Sequence, residues 1–492
     1  MNFCARPWTV WLRAGGKNDG CRREQIAHEA EKVANGESKT VAVCASRSGG
    51  FAGSQTDQQM KRPNILWIVT TQWRAQALGY TGDPNARTPC LDALAAESVN
   101  FTQAVTPHPF APFARAALLT GVSSPENGVR DYFDPLPTGT RTIAHEMERR
   151  GYATAFFGKW GVGKRDPSVP LVGEVHAKTV VPTAARGGFG FWEGFEGGFL
   201  LNDPWLHGSR LAEPAKFTGY QSDVVVGRAD GWLRERERGR QGAGGGSKKN
   251  WQPWFCVVSL EAPHPPYDAP AAGIAARHAR EIVLAANVPR GGAVESRARR
   301  ELAGYYAHLE ATDRSVGRLV AEVDARATAG GGEVGGERDD SMIVFTSMHG
   351  DMHGAHGLFR KGWPYEESVR VPLLVRGAGG RGLVSSELVS LVDLGALTLA
   401  WADGRKPEAQ NEQLKARMQR ISMPSVVALP QQCDRAWHGM RTMARKLVLN
   451  TDGSPWLFFD LERDPMERDN CVGDPERAGE IAELRARASF AE

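Results

Sequence analysis

Three histidines fall close together in the segment HGDMHGAHG, at His349, His353 and His356. Imidazoles at such spacings bind zinc or another transition metal when the backbone gathers them on one face. The interspersed glycines argue instead for a loop that sends the rings apart. A second segment, GGFGFWEGFEGGFLLNDPW (187–205), is rich in aromatics. Aromatic faces stack on sugars in a cleft, whereas a stretch so broken by glycine also packs as an ordinary loop. The seven cysteines, Cys4, Cys21, Cys44, Cys90, Cys256, Cys433 and Cys471, form no C-x-x-C pair. Neither a disulfide framework nor a zinc knuckle is indicated, and buried or incidental thiols account for them. The glycine-rich stretches 241–250 and 330–340 are polar, and read as surface loops rather than phosphate cradles.

These groups must be positioned by a scaffold, and the scaffold is legible. With 492 residues, 60 Lys+Arg against 57 Asp+Glu and 41% hydrophobic residues, the composition excludes a fibrous or disordered chain. A net charge of +3 gives no field that would draw nucleic acid, and no apolar run of about 18 residues spans a bilayer. Oligomeric state is not readable. Residues 1–59 lack a sustained apolar period and read as a disordered extension or a mistranslated leader, with Met60 a candidate start. The apolar part of MNFCARPWTVWL is interrupted by Arg6 and Pro7, which makes it no clear secretory signal and the cytoplasm the default location. From Met60 the texture changes: the run Ile65 to Val69 predicts a strand buried on both faces. Strands predicted at 65–70, 153–157, 254–260 and 342–346 alternate with helices at 90–98, 112–120 and 141–150. The fold class is therefore α/β: a large, mostly parallel mixed sheet sandwiched by helices over 60–405, with a small α+β subdomain over 406–492. In such sheets, ligands sit outside the carboxyl ends of the strands.

Six motifs then carry a family likeness. RPNILWIVTTQWRAQALGYTGD, RTPCLDALAAESVNFTQAVTPHP, RAALLTG, TAFFGKW, LEAPHPPYD and VFTSMHGDMHGAHGLFRKGWPYEESVRVPLLVRG resemble, in order and spacing, the sulfatases of the alkaline-phosphatase superfamily. FFDLERDPMERDN resembles that family's small terminal subdomain. The resemblance implies hydrolysis of a sulfuric ester by a formylglycine, made from the Cys of a Cys-x-Pro-Ser-Arg-like motif at a helix N-terminus, with calcium held by hard oxygen ligands. The small-molecule or carbohydrate sulfate ester is the implied substrate.

At the positions that resemblance selects, this sequence departs from the family. The nucleophile position falls on Ala111, and the following Pro and Ser positions on Phe113 and Ala114; only Arg115 survives. A methyl group cannot become an aldehyde hydrate or attack sulfur. Of the metal-ligand positions, both aspartates are replaced, by Thr71 and Met348, beside the retained Gln72 and His349. Two neutral ligands are not expected to hold calcium, which takes 6–8 oxygens, several of them charged. The family histidine after Gly-Lys-Trp is replaced by Gly161. Arg115, Lys159, Lys361 and His264 match the residues that hold the sulfate and attend its leaving oxygen. The expectation is a sulfatase-family protein without formylglycine, with weak or absent calcium binding, and with the formylglycine mechanism lost. Two alternatives stand beside it: an active sulfatase or phosphatase-like hydrolase using a substitute nucleophile, for which Thr70, Thr71 and Thr106 are candidates, and a non-catalytic binder of sulfated or phosphorylated carbohydrate.

Overall fold

A computed structural model describes residues 62–242, 252–329, 341–377, 380–404 and 418–489. The 1–59 extension, the proposed 405/406 boundary and nearly all of both glycine-rich stretches lie outside the described residues. Ten strands form one mixed sheet: β1 (Asn64–Thr70), β2 (Ser98–Phe101), β3 (Ala153–Lys159), β4 (Phe191–Phe195), β5 (Trp205–Gly208), β6 (Leu211–Lys216), β7 (Trp254–Ser259), β8 (Ser341–Ser347), β9 (Leu373–Arg376) and β10 (Leu383–Ser385). Their order is β10-β2-β9-β8-β1-β7-β3-β4-β5-β6. The centre, β8-β1-β7-β3-β4, is parallel throughout; the antiparallel pairs lie outside it.

The continuous apolar run of β1 divides between two cores. Ile65, Trp67 and Val69 point into one cluster, which also takes Phe113, Ala116 and Leu118 of a helix on that face. Leu66 and Ile68 point into the other, beside Val225 and Leu302 of the two long helices. Side chains that alternate across a strand therefore meet helices on both sides, which is why the strand has no polar face. The principal helices are α1 (Pro89–Ala96), α2 (Ala111–Thr120), α3 (Ile143–Arg149), α4 (Gln221–Gly242), α5 (Gly292–Ala329), α6 (Leu394–Ala402) and α7 (Ala478–Ser489). The helix expected over 90–98 stops at Ala96, because Ser98 turns its hydroxyl back to the Leu94 carbonyl and opens β2. A second, antiparallel sheet follows: β11 (Gln419–Met423), β12 (Trp437–Arg441), β13 (Arg445–Asn450) and β14 (Pro455–Asp460). Its Ile421, Trp437, Val448 and Phe459 join the first core, so the small sheet extends that face. No described helix is long and apolar enough to cross a membrane.

Candidate functional site

Five parallel strands end at the same edge of the sheet, and each delivers site residues at or just past its carboxyl end. β1 delivers Thr71 and Gln72, β3 Lys159 and Gly161, and β4 Glu196 and Phe199. β7 delivers Glu261 and His264, and β8 His349 and Asp351. Above this edge lies a cavity of about 850 Å³. Lys159, Gly161, Arg165, Glu196, His264 and Lys361 line it, with Phe110, Tyr132 and Phe199 as aromatic walls.

α2 begins at this cavity. Its cap, Phe110, is extended and supplies no side-chain hydrogen bond, and Ala111 and Pro112 face the void. The first helical N–H groups and the positive dipole end are thus presented where an anion would sit. Ala111 offers only its methyl group.

Arg115, one turn into α2, lies beneath the floor. Its Nη1 donates to the Lys159 carbonyl at 3.0 Å and to Ser259 Oγ at 2.6 Å, and its Nη2 donates to Thr71 Oγ1 at 2.9 Å. Burial lowers its pKa to about 10, opposed by Glu261 and Glu196. Lys159 Nζ donates to Glu261 Oε1 at 2.5 Å and lies 4.5 Å from the centre of the Phe199 ring. Burial lowers its pKa too, against the attraction of Glu261.

Lys361 differs from Lys159 in its partners, which are neutral. Its Nζ donates to Gln72 Oε1 at 2.6 Å and lies 3.0 Å from His264 Nε2. Burial pushes this amine down to about 7, with Asp351 opposing and Lys159 reinforcing the shift. His264 is held well below its ordinary value by burial and by the Lys361 and Lys159 charges. A neutral imidazole then donates from Nδ1 to the Pro265 carbonyl at 2.8 Å and accepts from Lys361 at Nε2.

The expected metal-ligand positions come together but are otherwise engaged. Thr71 Oγ1 donates to the Leu260 carbonyl while accepting from Arg115. Gln72, at φ 69°, gives Oε1 to Lys361 and donates from Nε2 to Asp351 Oδ2 at 2.5 Å. Met348 is wholly buried in the first core, and His349 Nδ1 bonds the Gly350 carbonyl at 2.8 Å. Asp351, the nearest remaining carboxylate, is saturated. Its Oδ2 accepts from Tyr267 at 2.7 Å, and its Oδ1 accepts the backbone N–H groups of His353 and Arg360. Burial opposes its ionisation, yet His353, Arg360 and these donors hold its pKa well below the usual carboxylate range.

The candidate hydroxyls and the histidine run are likewise placed. Thr70 Oγ1 donates to the Thr346 carbonyl and Thr106 Oγ1 to the His108 carbonyl, and none of Thr70, Thr71 and Thr106 lines the cavity. His353 packs 4.3 Å from the Tyr305 ring, and His356 stacks 4.1 Å from Tyr365. With His349 turned to Gly350, the three rings go to three different neighbourhoods, and the described residues hold no cluster of three metal-ligating side chains. The aromatic stretch divides. Trp192 and Phe195 are core residues, whereas Phe199 reaches the cavity and stacks 4.5 Å from His264.

Sequence reasoning missed Glu261, Glu196, Arg165 and Asp351. Glu261 and Asp351 sit inside motifs already quoted, in LEAPHPPYD and MHGDMHG, and that adjacency was the available signal. Glu196 sits inside the aromatic segment 187–205, which drew attention for its rings and not its carboxylates, and Arg165 carried no signal.

Comparison with known proteins decides the family. Residues 63–404 match the Sulfatase family, and residues 354–490 match the family described as N-sulphoglucosamine sulphohydrolase, C-terminal. This chain belongs to the sulfatase family. The ulvan-active sulfatase of Formosa agariphila is 31% identical over 442 residues, covering 86% of this chain and 79% of that protein. A structure solved with its substrate D-glucosamine-2-N,6-O-disulfate has a TM-score of 0.68 at 21% identity, covering 88% of this chain and 97% of that one. The phosphonate monoester hydrolase of Agrobacterium radiobacter has a TM-score of 0.62 at 21% identity, covering 87% and 95%. The structural likenesses show the fold, which for this sulfatase-family chain is the alkaline-phosphatase-like sheet with its small terminal sheet.

Proposed function

We propose that this sulfatase-family protein has lost the formylglycine and calcium mechanism and retains the cavity as a binding site for a sulfate ester of a small molecule or carbohydrate. The observation that carries the reading is Ala111 at the first position of α2, facing the cavity where the family's nucleophile would stand. No oxygen or sulfur is available there to form a covalent intermediate. The metal side agrees. Thr71, Gln72, Met348 and His349 contain no carboxylate, Gln72 Oε1 is taken by an ammonium group, and both oxygens of Asp351 are committed to N–H and O–H donors. That donor set does not fit calcium, which requires several anionic oxygens.

Anion binding is supported by what remains. Lys361 enters the cavity with neutral partners, Lys159 lies beside it, and the α2 N-terminus adds its dipole. Ligand class is supported by relatives: one is named for ulvan, and one fold neighbour was solved with a sulfated glucosamine. The test is paired. Hydrolysis of an aryl sulfate is followed with added calcium, and binding of glucose 6-sulfate is followed by calorimetry. Saturable, salt-sensitive binding without turnover is expected. Turnover by the unaltered protein would refute the proposal, and its loss on substituting Thr70, Thr71 or Thr106 would establish a hydroxyl nucleophile.

A further inference from the structure

We propose that the protein pairs with a second copy of itself through β10, the strand at one end of the large sheet, in an antiparallel two-fold arrangement centred on Val384. The surface lies apart from the cavity, and the inference does not depend on what the cavity binds.

The edge of a sheet presents backbone N–H and C=O groups that can pair with another chain, and proteins commonly guard it with proline or charge. The two ends of this sheet differ in that respect. β6, at one end, carries Glu213, Pro214 and Lys216. β10, at the other, reads LVS, with neither proline nor charge. Leu383 is 46% exposed, and Val384 at 73% is the most exposed large apolar side chain among the described residues.

Backbone direction fixes how a partner would join. β10 lies parallel to β2, and the Ser385 carbonyl accepts the Thr102 N–H at 2.9 Å. Ser385 and, two residues earlier, Leu383 therefore turn their backbone groups toward β2. Val384, between them, turns its N–H and C=O outward, where no described strand pairs with it. An antiparallel neighbour meets such a residue as a hydrogen-bonded pair that exchanges both bonds. With a second copy as the neighbour, a two-fold axis through that pair lets each Val384 N–H donate to the other Val384 carbonyl. The register then sets Leu383 against Ser385, and the exposed Arg381 against Glu387 of the second copy, on both sides of the axis. Charge is complementary in this arrangement, whereas a parallel pairing in register would oppose Arg381 to Arg381. Each copy uses its only unguarded edge, so assembly stops at two. A strand this short buries less than a stable interface of about 1,200 Å² needs, which places the dimer Kd between about 1 µM and 1 mM.

The experiment is sedimentation equilibrium of the full chain from about 5 µM to about 0.5 mM, a range set by that Kd. The weight-average mass should climb from monomer toward dimer. Val384→Pro deletes the outward N–H without touching the bonds to β2, and Val384→Lys adds a charge to the edge. Both should stay monomeric at every concentration and, because Val384 is exposed, melt within about two degrees of the parent. Arg381→Glu opposes like charges and should weaken the dimer about threefold or more at low salt, and less at high salt. A monomer throughout in the unaltered chain overturns the proposal, as does a dimer that Val384→Lys leaves intact. An unweakened dimer in Arg381→Glu overturns the antiparallel register, and assemblies larger than two that Val384→Lys abolishes overturn the two-fold closure. If Val384→Pro melts low, Val384→Lys and Arg381→Glu decide.

Discussion

Replacing Lys361 by Met should stabilise the protein, the reverse of the usual effect of deleting a buried, hydrogen-bonded side chain. Burial lowers this amine from 10.5 to about 7. At pH 7 the unfolded lysine is charged and the folded one is about half charged, so the fold bears a penalty of ~4 kcal/mol for this group. Methionine fills a similar volume without charge. Against that gain stand the bonds to Gln72 Oε1 and His264 Nε2, whose loss leaves two buried acceptors at ~1 kcal/mol or somewhat more each. The balance is a stabilisation of about 1–2 kcal/mol. For a folded body of roughly 400 residues, this raises the melting temperature by ~1–2 °C. The sign with pH follows from the depressed lysine pKa. Between about 7 and 10.5 the unfolded state holds the extra proton, so the penalty is full below pH 7 and disappears as pH approaches 10.5. The advantage of the variant should shrink over that window. Scanning calorimetry with and without glucose 6-sulfate provides the assay: the ligand should raise the melting temperature of the unaltered protein and do far less for the variant. A variant several degrees less stable that keeps the full ligand-induced rise would refute the reasoning.

Three other outcomes are expected. On the proposed reading, Ala111→Cys should melt within a degree or two of the parent and show no aryl-sulfate turnover with calcium, because Phe113 occupies the family's proline position and Thr71 and Met348 occupy two of its aspartate positions. Gly161→His should destabilise by about 2–3 kcal/mol in urea unfolding, since Gly161 holds φ 67° and a Cβ there would lie 2.9 Å from Arg115 Cδ. Lys446→Met should cost about 3–5 kcal/mol by the same measurement, because the wholly buried Lys446 bridges Glu366 at 2.7 Å and Glu467 at 2.6 Å and would leave Glu467 without its ion-pair partner.

β4, FWEGF, is interrupted by Glu193 and Gly194 and escaped notice, but the other central strands were legible because their side chains are buried on both faces and leave an apolar signature, as in NILWIVT and SMIVFTS. The edge strands were not. β6 reads LAEPAK, with a proline and a glutamate, and is held only by β5, so pairing geometry rather than composition makes it a strand. The site divides along the same line. Residues at strand ends inside recognisable motifs could be named from sequence, and Lys159, His264 and Lys361 do converge on one cavity. The placement of Arg115 could not be read: it lies under the floor, tying β1, β3 and β7 through Thr71, the Lys159 carbonyl and Ser259. Nor could Arg165 and Glu196, which are far apart in sequence and meet only because β3 and β4 run parallel side by side.

Charge conservation gives the substitutions a common logic on the proposed reading. A dication and the two aspartates that hold it sum to about zero, so deleting all three leaves the net charge of the pit nearly as it was. What changes is where the charge sits. Gln72 Oε1 accepts from the Lys361 amine at 2.6 Å, which on the proposed reading stands where the family's ion would be its partner. On the proposed reading, the cavity keeps a positive field for a sulfate and lacks the Lewis acid and nucleophile that would break its ester. Glu261 prevents Lys159 from doubling that field, because its carboxylate lies 2.5 Å from Nζ with no exposure to water. Anion affinity should then depend more on Lys361 than on Lys159. A double substitution of Lys159→Met with Glu261→Gln, which removes both signs together, should weaken glucose 6-sulfate binding less than Lys361→Met alone.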